Sequence, residues 1–343
     1  MKTITLKTAS KTYNILIGNA ILSKAAKLAN TTAKNVFIIT DSNVAPLYLK
    51  TVFNSFKENG CTVSSYTIEA GEKSKNLWTV EKIYSLLCEN NITKTDLIVA
   101  LGGGVVGDIS GFAASTYLRG VPYIQIPTTL LAQVDSSIGG KCGVDLKYGK
   151  NLVGSIYQPD LVICDLNALE TLSASEFNNG MAEAIKCGFI YDNEILKAIK
   201  LNALEKTVLG SINVKRAIVE ADEFEKSERM LLNFGHTFGH AIERLGNYKT
   251  FSHGQAVSIG MVLAVKLGIE LKITPKNCLD ELKALLEKFN LPLECPYSLK
   301  QMLTFVAADK KIRNGKINFI LLTEIGKAGI YPMDLAQITS YNI

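Results

Sequence analysis

The hydrophobic positions in the first half of the chain alternate between short apolar runs and stretches with helical spacing. Residues 3–8 and 12–17 alternate polar and apolar side chains, which predicts a hairpin. Compact apolar runs predict buried strands, and helical periodicity between them predicts helices. The predicted strands are 35–40, 96–101, 122–126 and 161–165, and the predicted helices are 44–58, 75–90 and 105–118. This order favours a parallel, Rossmann-like α/β sheet.

The pattern changes after about residue 170, where strand signals become rare. Helical periodicity covers 173–206, 208–226, 233–247, 253–271 and 278–289, and only 316–332 returns to a hairpin-like pattern. A length of 343 residues suits two domains. We therefore predict an α/β domain over 1–168 and a mainly α-helical domain over 169–343.

Composition excludes several classes of protein. A chain that is 47% hydrophobic and 20% charged can bury a sizeable core, which excludes a disordered protein. The net charge is +5 without a block of like charges, so we expect no nucleic-acid partner. The sequence shows no signal peptide and no membrane-spanning run. Seven scattered cysteines without a C-x-x-C pair indicate reduced thiols in the cytoplasm.

A glycine-rich turn follows the strand that ends at about residue 101 and opens the next helix. The segment GGGVVGD at 102–108 contains G-x-G-x-x-G, a pattern in which backbone N–H groups approach a pyrophosphate at a helix N-terminus. The following strand lacks the acidic residue of the usual dinucleotide fingerprint. Asp41, after the strand NVFIIT, is the acid in the right context. Alone, the loop fits a structural turn and Asp41 fits a helix N-cap, but together they favour a nucleotide.

All three histidines of the chain lie between residues 236 and 253, and this clustering favours a functional role for them. His236 and His240 are spaced i, i+4 and share a helix face, while His253 opens the next apolar helix. Two histidines with one carboxylate are typical of catalytic zinc sites. Glu183, on an otherwise apolar helical face, is the best carboxylate candidate, and a buried ion pair with Lys186 is its alternative. Spacing leaves open which histidines bind metal and which serve as acid or base.

A glycine- and lysine-containing stretch runs from Gln133 to Lys141 and continues from Lys147 to Asn151. Glycines, small hydroxyls and spaced lysines suit an oxyanion or a phosphate. The alternative interpretation is an ordinary solvated loop.

Read in order, these motifs resemble the 3-dehydroquinate synthase family of sugar-phosphate cyclases. The matching segments are GEKSK at 71–75, ALGGGVVGDISGFAASTYLRG at 100–120, IPTTLLAQVDSSIGGKCGVD at 126–145, GKN at 149–151, GMAEAIKCG at 180–188, RMLLNFGHTFGHAIE at 229–243, HGQAV at 253–257 and DKK at 309–311. One departure is Gln255, where the family pattern has a glutamate.

The resemblance implies three sets of site residues. Zinc, or cobalt in its place, is expected on Glu183, His236 and His253. NAD is expected on Asp41, Glu72, Lys75, Gly104, Val105, Val106, Gly107, Asp108, Thr128, Thr129, Lys141, Lys150, Ala168, Leu169, Glu170 and Thr171. Substrate contacts are expected from Asp135, Lys141, Lys150, Asn151, Lys186, Lys215, Arg229, Asn233 and His240. Arg119 resembles the residue that reaches the partner subunit's phosphate site, which implies a homodimer.

The activity implied by the resemblance is conversion of 3-deoxy-D-arabino-heptulosonate 7-phosphate to 3-dehydroquinate and phosphate. NAD is oxidant and then reductant within one turnover, so the enzyme is a lyase of the shikimate pathway. A sister cyclase making an inosose or a valiolone is one alternative, and Arg229 as carboxylate partner argues against it. A metal-dependent alcohol or glycerol dehydrogenase is the second. A non-catalytic nucleotide-binding regulator is the third, and the complete metal triad argues against it.

Overall fold

The computed structural model describes residues 1–307, 316–339 and 341. The chain divides into two compact units, Met1–Ser173 and Ala174–Ile343. The DKK segment at 309–311 lies outside the described residues.

The first unit is built on a seven-stranded sheet with the order β1-β2-β9-β6-β5-β3-β4. Only the edge strand β1 is antiparallel to its neighbour, and the other five pairings are parallel. The strands of the unit are β1 Lys2–Lys7, β2 Thr12–Gly18, β3 Asn35–Asp41, β4 Thr62–Ile68, β5 Leu97–Gly102, β6 Tyr123–Pro127, β7 Lys141–Leu146, β8 Gly149–Ile156 and β9 Leu161–Asp165. The predicted α/β class with a Rossmann-like sheet is confirmed.

Helices cover both faces of this sheet. They are α1 Ala25–Ala29, α2 Lys50–Glu58, α3 Leu77–Glu89 and α4 Gly104–Thr116. Because successive strand residues point to opposite faces, Ile38 joins the core beneath α1 and α2, while Ile39 joins the core beneath α3 and α4. Burial on both faces explains why the central strands are continuous apolar runs in the sequence.

Two features of the first unit were not predicted. Strand β4 has the sequence TVSSYTI and lies at the sheet edge, where only Ile68 is fully buried, so it lacks an apolar run. The stretch interpreted as a basic loop forms instead a separate antiparallel hairpin, β7–β8. Glycines such as Gly143 and Gly154 lie in close cross-strand contact there. Because glycine has no side chain, the sequence of this hairpin lacks the alternation of apolar and polar residues that predicts a strand.

The second unit is mainly helical, as predicted. It contains α5 Ala174–Ile190, α6 Glu194–Lys200, α7 Leu204–Ala221, α8 His236–Leu245, α9 His253–Glu270, α10 Asn277–Lys288, α11 Leu299–Ala307, α12 Leu335–Ile338 and the hairpin β10 Lys316–Glu324 with β11 Lys327–Asp334. The continuous helical pattern predicted over 173–206 was wrong, because the chain turns after Ile190 and again after Lys200. Within the described residues, no helix has the length and apolar character needed to cross a bilayer.

Candidate active site

Three side chains of the metal-ligand type meet inside the second unit. Glu183 comes from α5, and His236 and His253 are the first residues of α8 and α9. Glu183 Oε1 lies 3.4 Å from His236 Nε2 and 3.5 Å from His253 Nε2. One donor atom from each residue lies within 4.8 Å of the others. Sequence reasoning proposed these three residues from the family pattern, and the structure brings them together.

Close packing of glycines allows these helices to meet. A Cβ added to Gly260 of α9 would overlap the carbonyl oxygen of Gly235, which precedes α8. A Cβ added to Gly254 would overlap the carbonyl oxygen of Asn179 on α5. Side chains at these positions would therefore separate α5, α8 and α9, and the three ligand-type groups with them.

A capping box determines where α9 begins. The Ser252 hydroxyl accepts the backbone N–H of Gln255, while the Gln255 side chain accepts the backbone N–H of Ser252. His253 is consequently the first helical residue. Gln255, the one departure from the family pattern, fulfils this role because glutamine serves in a capping box as glutamate does.

The Glu183 carboxylate is fully buried and suits a cation. Its Oε2 pairs with the Lys186 ammonium, and its Oε1 has no hydrogen-bond partner among the described residues. Burial would raise the pKa of Glu183, but Lys186 and His253 outweigh it and hold the pKa at about 2. The two alternatives raised by the sequence, metal ligand and ion pair with Lys186, are thus compatible, because each uses a different oxygen.

The donor set fits a tetrahedrally bound divalent ion. Ligand atoms of a tetrahedral site with bonds of about 2.1 Å lie about 3.4 Å apart, which matches the two distances from Glu183 Oε1. The remaining ring nitrogens are turned away. His236 Nδ1 lies 3.1 Å from the carbonyl oxygen of Phe234, and His253 Nδ1 lies 3.6 Å from Glu243 Oε2.

The two imidazoles differ in their affinity for a proton. Burial, the Lys186 charge and His253 lower the pKa of His236 well below its ordinary value. For His253 burial acts in the same direction, but the Glu183 and Glu243 carboxylates outweigh it and raise the pKa to about 10. A divalent cation beside Glu183 would replace that proton, since a metal ligand must be a neutral imidazole.

His240 lies next to the triad and outside it. Its ring centroid is 5.5 Å from that of His236 and 6.5 Å from that of His253. Within the described residues, the donor atoms that cluster within 4.8 Å come from the other two histidines and Glu183. His240 therefore lies beside the three ligand-type residues without belonging to their cluster.

Cationic and amide side chains predicted to contact substrate lie on α5, on α7 and on the short helical segment Glu228–Asn233 of the second unit. Lys186 and Arg229 are almost fully buried, and Lys215 on α7 is buried as well. Arg229 Nη1 donates to the carbonyl oxygen of Glu223, and Asn233 Nδ2 donates to Glu225 Oε1 at 2.9 Å.

In the first unit, the buried side chain of Lys75 contacts polar side chains from three segments of the sequence. Lys75 Nζ lies 2.6 Å from Asp108 Oδ2 and donates to Asn151 Oδ1 at 2.6 Å. Glu72 Oε1 lies 3.9 Å from Lys75 Nζ and 3.6 Å from Lys150 Nζ. All five residues were predicted as site residues, and the structure places them in one polar cluster.

Competition between carboxylates for Lys75 shifts the pKa values in this cluster. Burial would lower the pKa of Lys75, but Asp108 and Glu72 outweigh it and raise that pKa. The pKa of Asp108 rises to about 6, because burial and the neighbouring acids Glu72 and Asp145 outweigh the attraction of Lys75.

Asp145 is a member of this cluster that sequence reasoning missed. Its Oδ1 accepts the backbone N–H of Asn151 at 2.7 Å, and Asn151 has a left-handed backbone with φ 53°. Asp145 therefore stabilises the conformation that brings the Asn151 amide to Lys75. The feature of the sequence that could have indicated Asp145 is its position in the segment CGVD, six residues before Asn151.

The glycine-rich turn lies at the carboxyl ends of the parallel strands, where α/β sheets bind their ligands. Helix α4 starts at Gly104, and a Cβ on Gly107 would come within 2.7 Å of Gln125 Oε1, so glycine here lets α4 pack against β6 without displacing that side chain. The Thr128 N–H donates to the Gly102 carbonyl at 3.0 Å. The buried Thr128 hydroxyl has no hydrogen-bond partner among the described residues, which suits a polar ligand.

The other predicted nucleotide residues lie on the same sheet edge. Asp41 Oδ1 accepts the backbone N–H groups of Asn43 and Val44 at 2.9 and 3.0 Å, which closes a turn after β3. The alternative interpretation of Asp41 as a helix N-cap was wrong, because the helical segment Ala45–Leu49 has Val44 at its N-cap position. The segment 166–171 forms a short 3-10 helix. Its last residue, Thr171, has its Oγ1 atom 2.6 Å from the hydroxyl oxygen of Tyr48.

Three further predicted residues lie in the first unit at a turn, at the start of a strand and after a helix. Asp135 lies in a short helical turn at Ala132–Ser136, Lys141 is exposed at the start of β7, and Arg119 is exposed after α4. Arg119 has a left-handed backbone with φ 62°, which directs the chain through a sharp turn.

Solved structures with this fold define the class of protein. A 2-deoxy-scyllo-inosose synthase complexed with carbaglucose-6-phosphate, NAD+ and Co2+ matches with a TM-score of 0.88 at 26% identity, over 98% of both chains. A 2-epi-5-epi-valiolone synthase from Streptomyces hygroscopicus, with NAD+ and Zn2+ bound, matches with a TM-score of 0.88 at 26% identity, over 99% of this chain and 98% of that one. The fold is therefore that of the sugar-phosphate cyclases.

Sequence comparison narrows the class to one family. The family model 3-dehydroquinate synthase N-terminal matches residues 65–179, and 3-dehydroquinate synthase C-terminal matches residues 180–312. The 3-dehydroquinate synthase of Clostridium kluyveri is 46% identical over 99% of this chain and 98% of its own length. That of Clostridium botulinum is 43% identical over 96% of this chain and 97% of its own. The chain belongs to the 3-dehydroquinate synthase family.

Proposed function

We propose that this protein converts 3-deoxy-D-arabino-heptulosonate 7-phosphate into 3-dehydroquinate and phosphate, as a carbon–oxygen lyase of the shikimate pathway. The observation that carries the proposal is the approach of Glu183 Oε1 to the Nε2 atoms of both His236 and His253. This donor set sits in a chain whose sequence matches the family over both of its parts.

Two cofactors belong to the proposal. Glu183, His236 and His253 hold Zn²⁺ or Co²⁺, and their spacing supports that role. NAD binds the first domain, 1–168, and metal and substrate bind the second, 169–343. The NAD contacts we propose are Asp41, Glu72, Lys75, the loop 104–108, Thr128, Thr129, Lys141, Lys150 and the segment 168–171.

A metal held by Glu183, His236 and His253 would supply a Lewis acid for the substrate C5 hydroxyl, and NAD would supply a reversible hydride acceptor for C5, so no net oxidation would occur. A ketone at C5 acidifies the C6–H bond. The phosphate group of the substrate serves as the base that takes this proton. The electron pair of the C6–H bond then forms a C6=C7 double bond as the C7–O bond breaks and phosphate leaves. Ring opening frees the ketone at C2, and attack by C7 on C2 forms the carbocycle.

The protein groups mainly bind and orient an anionic substrate. Arg229, Lys186 and Lys215 are buried cations that would neutralise the substrate carboxylate and donate hydrogen bonds to neighbouring hydroxyls. His240 would donate a proton to, or accept one from, the phosphate. The full set of substrate contacts we propose is Asp135, Lys141, Lys150, Asn151, Lys186, Lys215, Arg229, Asn233 and His240.

The proposal also covers the oligomeric state of the enzyme and its cellular compartment. The enzyme is a cytoplasmic homodimer in which Arg119 reaches the phosphate site of the partner subunit. Exposure of Arg119 at a sharp turn supports such a reach. The seven cysteines, none of them in a disulfide, fit a reducing compartment.

Product analysis tests the activity. The metal-loaded protein is incubated with NAD and heptulosonate phosphate, and phosphate and carbocycle are quantified together. We expect one phosphate per 3-dehydroquinate. Parallel incubations with glucose 6-phosphate, sedoheptulose 7-phosphate and glycerol test the sister cyclases and the dehydrogenases. An inosose, a valiolone or accumulating NADH as the main product would contradict the proposal.

A further inference from the structure

A second carboxylate lies behind one of the metal-ligand histidines. His253 presents Nε2 to Glu183, and on the opposite side of the ring its Nδ1 lies 3.6 Å from Glu243 Oε2. Glu243 is 6% exposed in its side chain, and it lies on α8. Along α8, His236, His240 and Glu243 have the spacing i, i+4, i+7, which places all three on one helix face.

The two histidines of the triad are oriented from behind by different groups. His236 Nδ1 lies within hydrogen-bond distance of a main-chain carbonyl, that of Phe234. His253 has a carboxylate in the equivalent position. A histidine that binds a metal through one nitrogen commonly donates its other N–H to such an acceptor, which fixes the tautomer and the ring orientation.

We propose that Glu243 is a positioning residue of the metal site, accepting the Nδ1–H of His253 and thereby directing the Nε2 lone pair of that ring to the metal. His253 Nδ1 and Glu243 Oε2 lie 3.6 Å apart, and a small rotation of either side chain brings them within hydrogen-bond distance. A carboxylate acceptor also makes the imidazole a stronger ligand than a carbonyl acceptor does. This inference rests on the proposed function, because it assumes that Glu183, His236 and His253 bind a divalent cation.

Metal affinity, measured without turnover, tests the inference. The chain is stripped of metal, then titrated with Co²⁺ followed by its visible absorption, and with Zn²⁺ in competition with a chromophoric chelator. The variants are Glu243→Gln and Glu243→Ala. His253→Ala serves as the ligand reference, and Glu281→Gln, a carboxylate of the same unit that pairs with Lys200, is the matched control.

We expect Glu243→Ala to raise both dissociation constants by roughly 10–100-fold, because it removes the acceptor. Glu243→Gln should raise them less, because its amide oxygen still accepts the Nδ1–H but carries no charge. His253→Ala should lose more, and Glu281→Gln should match the parent chain. Thermal unfolding of the metal-free proteins separates folding from binding: the metal-free Glu243→Gln should unfold like the parent and gain less stability from added Zn²⁺.

Three results would overturn the inference. Parent-like affinity in Glu243→Ala would mean that Glu243 does not orient His253. A loss in Glu243→Ala as complete as in His253→Ala would make Glu243 a direct ligand. A parent chain that binds neither ion would overturn the proposed metal site together with the inference, whereas the first two results leave the proposed function standing.

Discussion

At the scale of single residues, the chemistry depends on how each buried charge is neutralised. Glu183 is fully buried between an ammonium and two imidazoles, and each of its oxygens faces a different partner. An isolated carboxylate there would be strongly destabilising. The site therefore combines a permanent cation, Lys186, with a position for a divalent ion.

We predict that His240→Ala retains its metal and loses turnover. His240 lies beside the triad and contributes none of its clustered donor atoms. General acid–base assistance typically contributes roughly 10²–10⁴-fold, so kcat should fall within that range. Metal content and turnover are measured on the same preparation, with His253→Ala as the metal-losing control. Loss of metal in proportion to activity would make His240 a ligand, and unchanged kinetics would make it a structural residue.

The raised pKa of Asp108 predicts a pH-dependent stability. Between its ordinary value of 3.8 and about 6, the folded protein keeps a proton on Asp108 that the unfolded chain has lost. Stability therefore falls as pH rises through this window, by up to about 1.4 kcal/mol per pH unit for this group. Asp108→Asn cannot ionise, so its unfolding free energy, relative to the parent, should rise from pH 4 to pH 6. Denaturant unfolding at several pH values measures the difference, and a flat or falling difference would contradict the assignment.

At the scale of helices and strands, the metal-type site depends on backbone contact between three helices. Gly260→Ala adds a methyl group where the carbonyl oxygen of Gly235 lies. We expect a loss of about 1–3 kcal/mol in the free energy of unfolding, because α8 and α9 must separate. Zinc affinity should fall as well, since His236 and His253 begin those two helices. Lys266→Ala, at a half-buried position of α9, should cost less than about 0.5 kcal/mol. A Gly260→Ala variant with parent stability and zinc affinity would show that the contact does not set the ligand spacing.

The sequence predicts the elements that bury apolar runs and misses those that do not. Strand β9 was predicted with its observed bounds because all five of its residues are buried. The edge strand β4 and the hairpin β7–β8 carry polar residues and glycines, so neither shows a continuous apolar run. The same limit applies to the site. Glu183 could be proposed from the cost of burying a carboxylate, whereas Asp145 and Glu243 act through partners that only the folded chain brings near.

At the scale of the whole molecule, the proposed dimer predicts complementation between two inactive variants. Arg119→Ala lacks the group that reaches the partner's site, and His253→Ala lacks a metal ligand. In a mixed dimer, the Arg119→Ala subunit has an intact metal site and receives Arg119 from its partner. Random mixing of equal amounts should then restore about a quarter of the parent activity. Each variant unfolded and refolded alone is the control, and no recovery on mixing would contradict an exchange of Arg119 between subunits.

The central claim is that hydride leaves the substrate and returns to it within one turnover. Substrate carrying deuterium at C5 tests this claim most directly, when turned over with unlabelled NAD and analysed by mass spectrometry. We expect 3-dehydroquinate that retains the deuterium, one phosphate released per product, and no label in the NAD pool. Deuterium recovered in released NADH, or a labelled carbocycle other than 3-dehydroquinate, would contradict it.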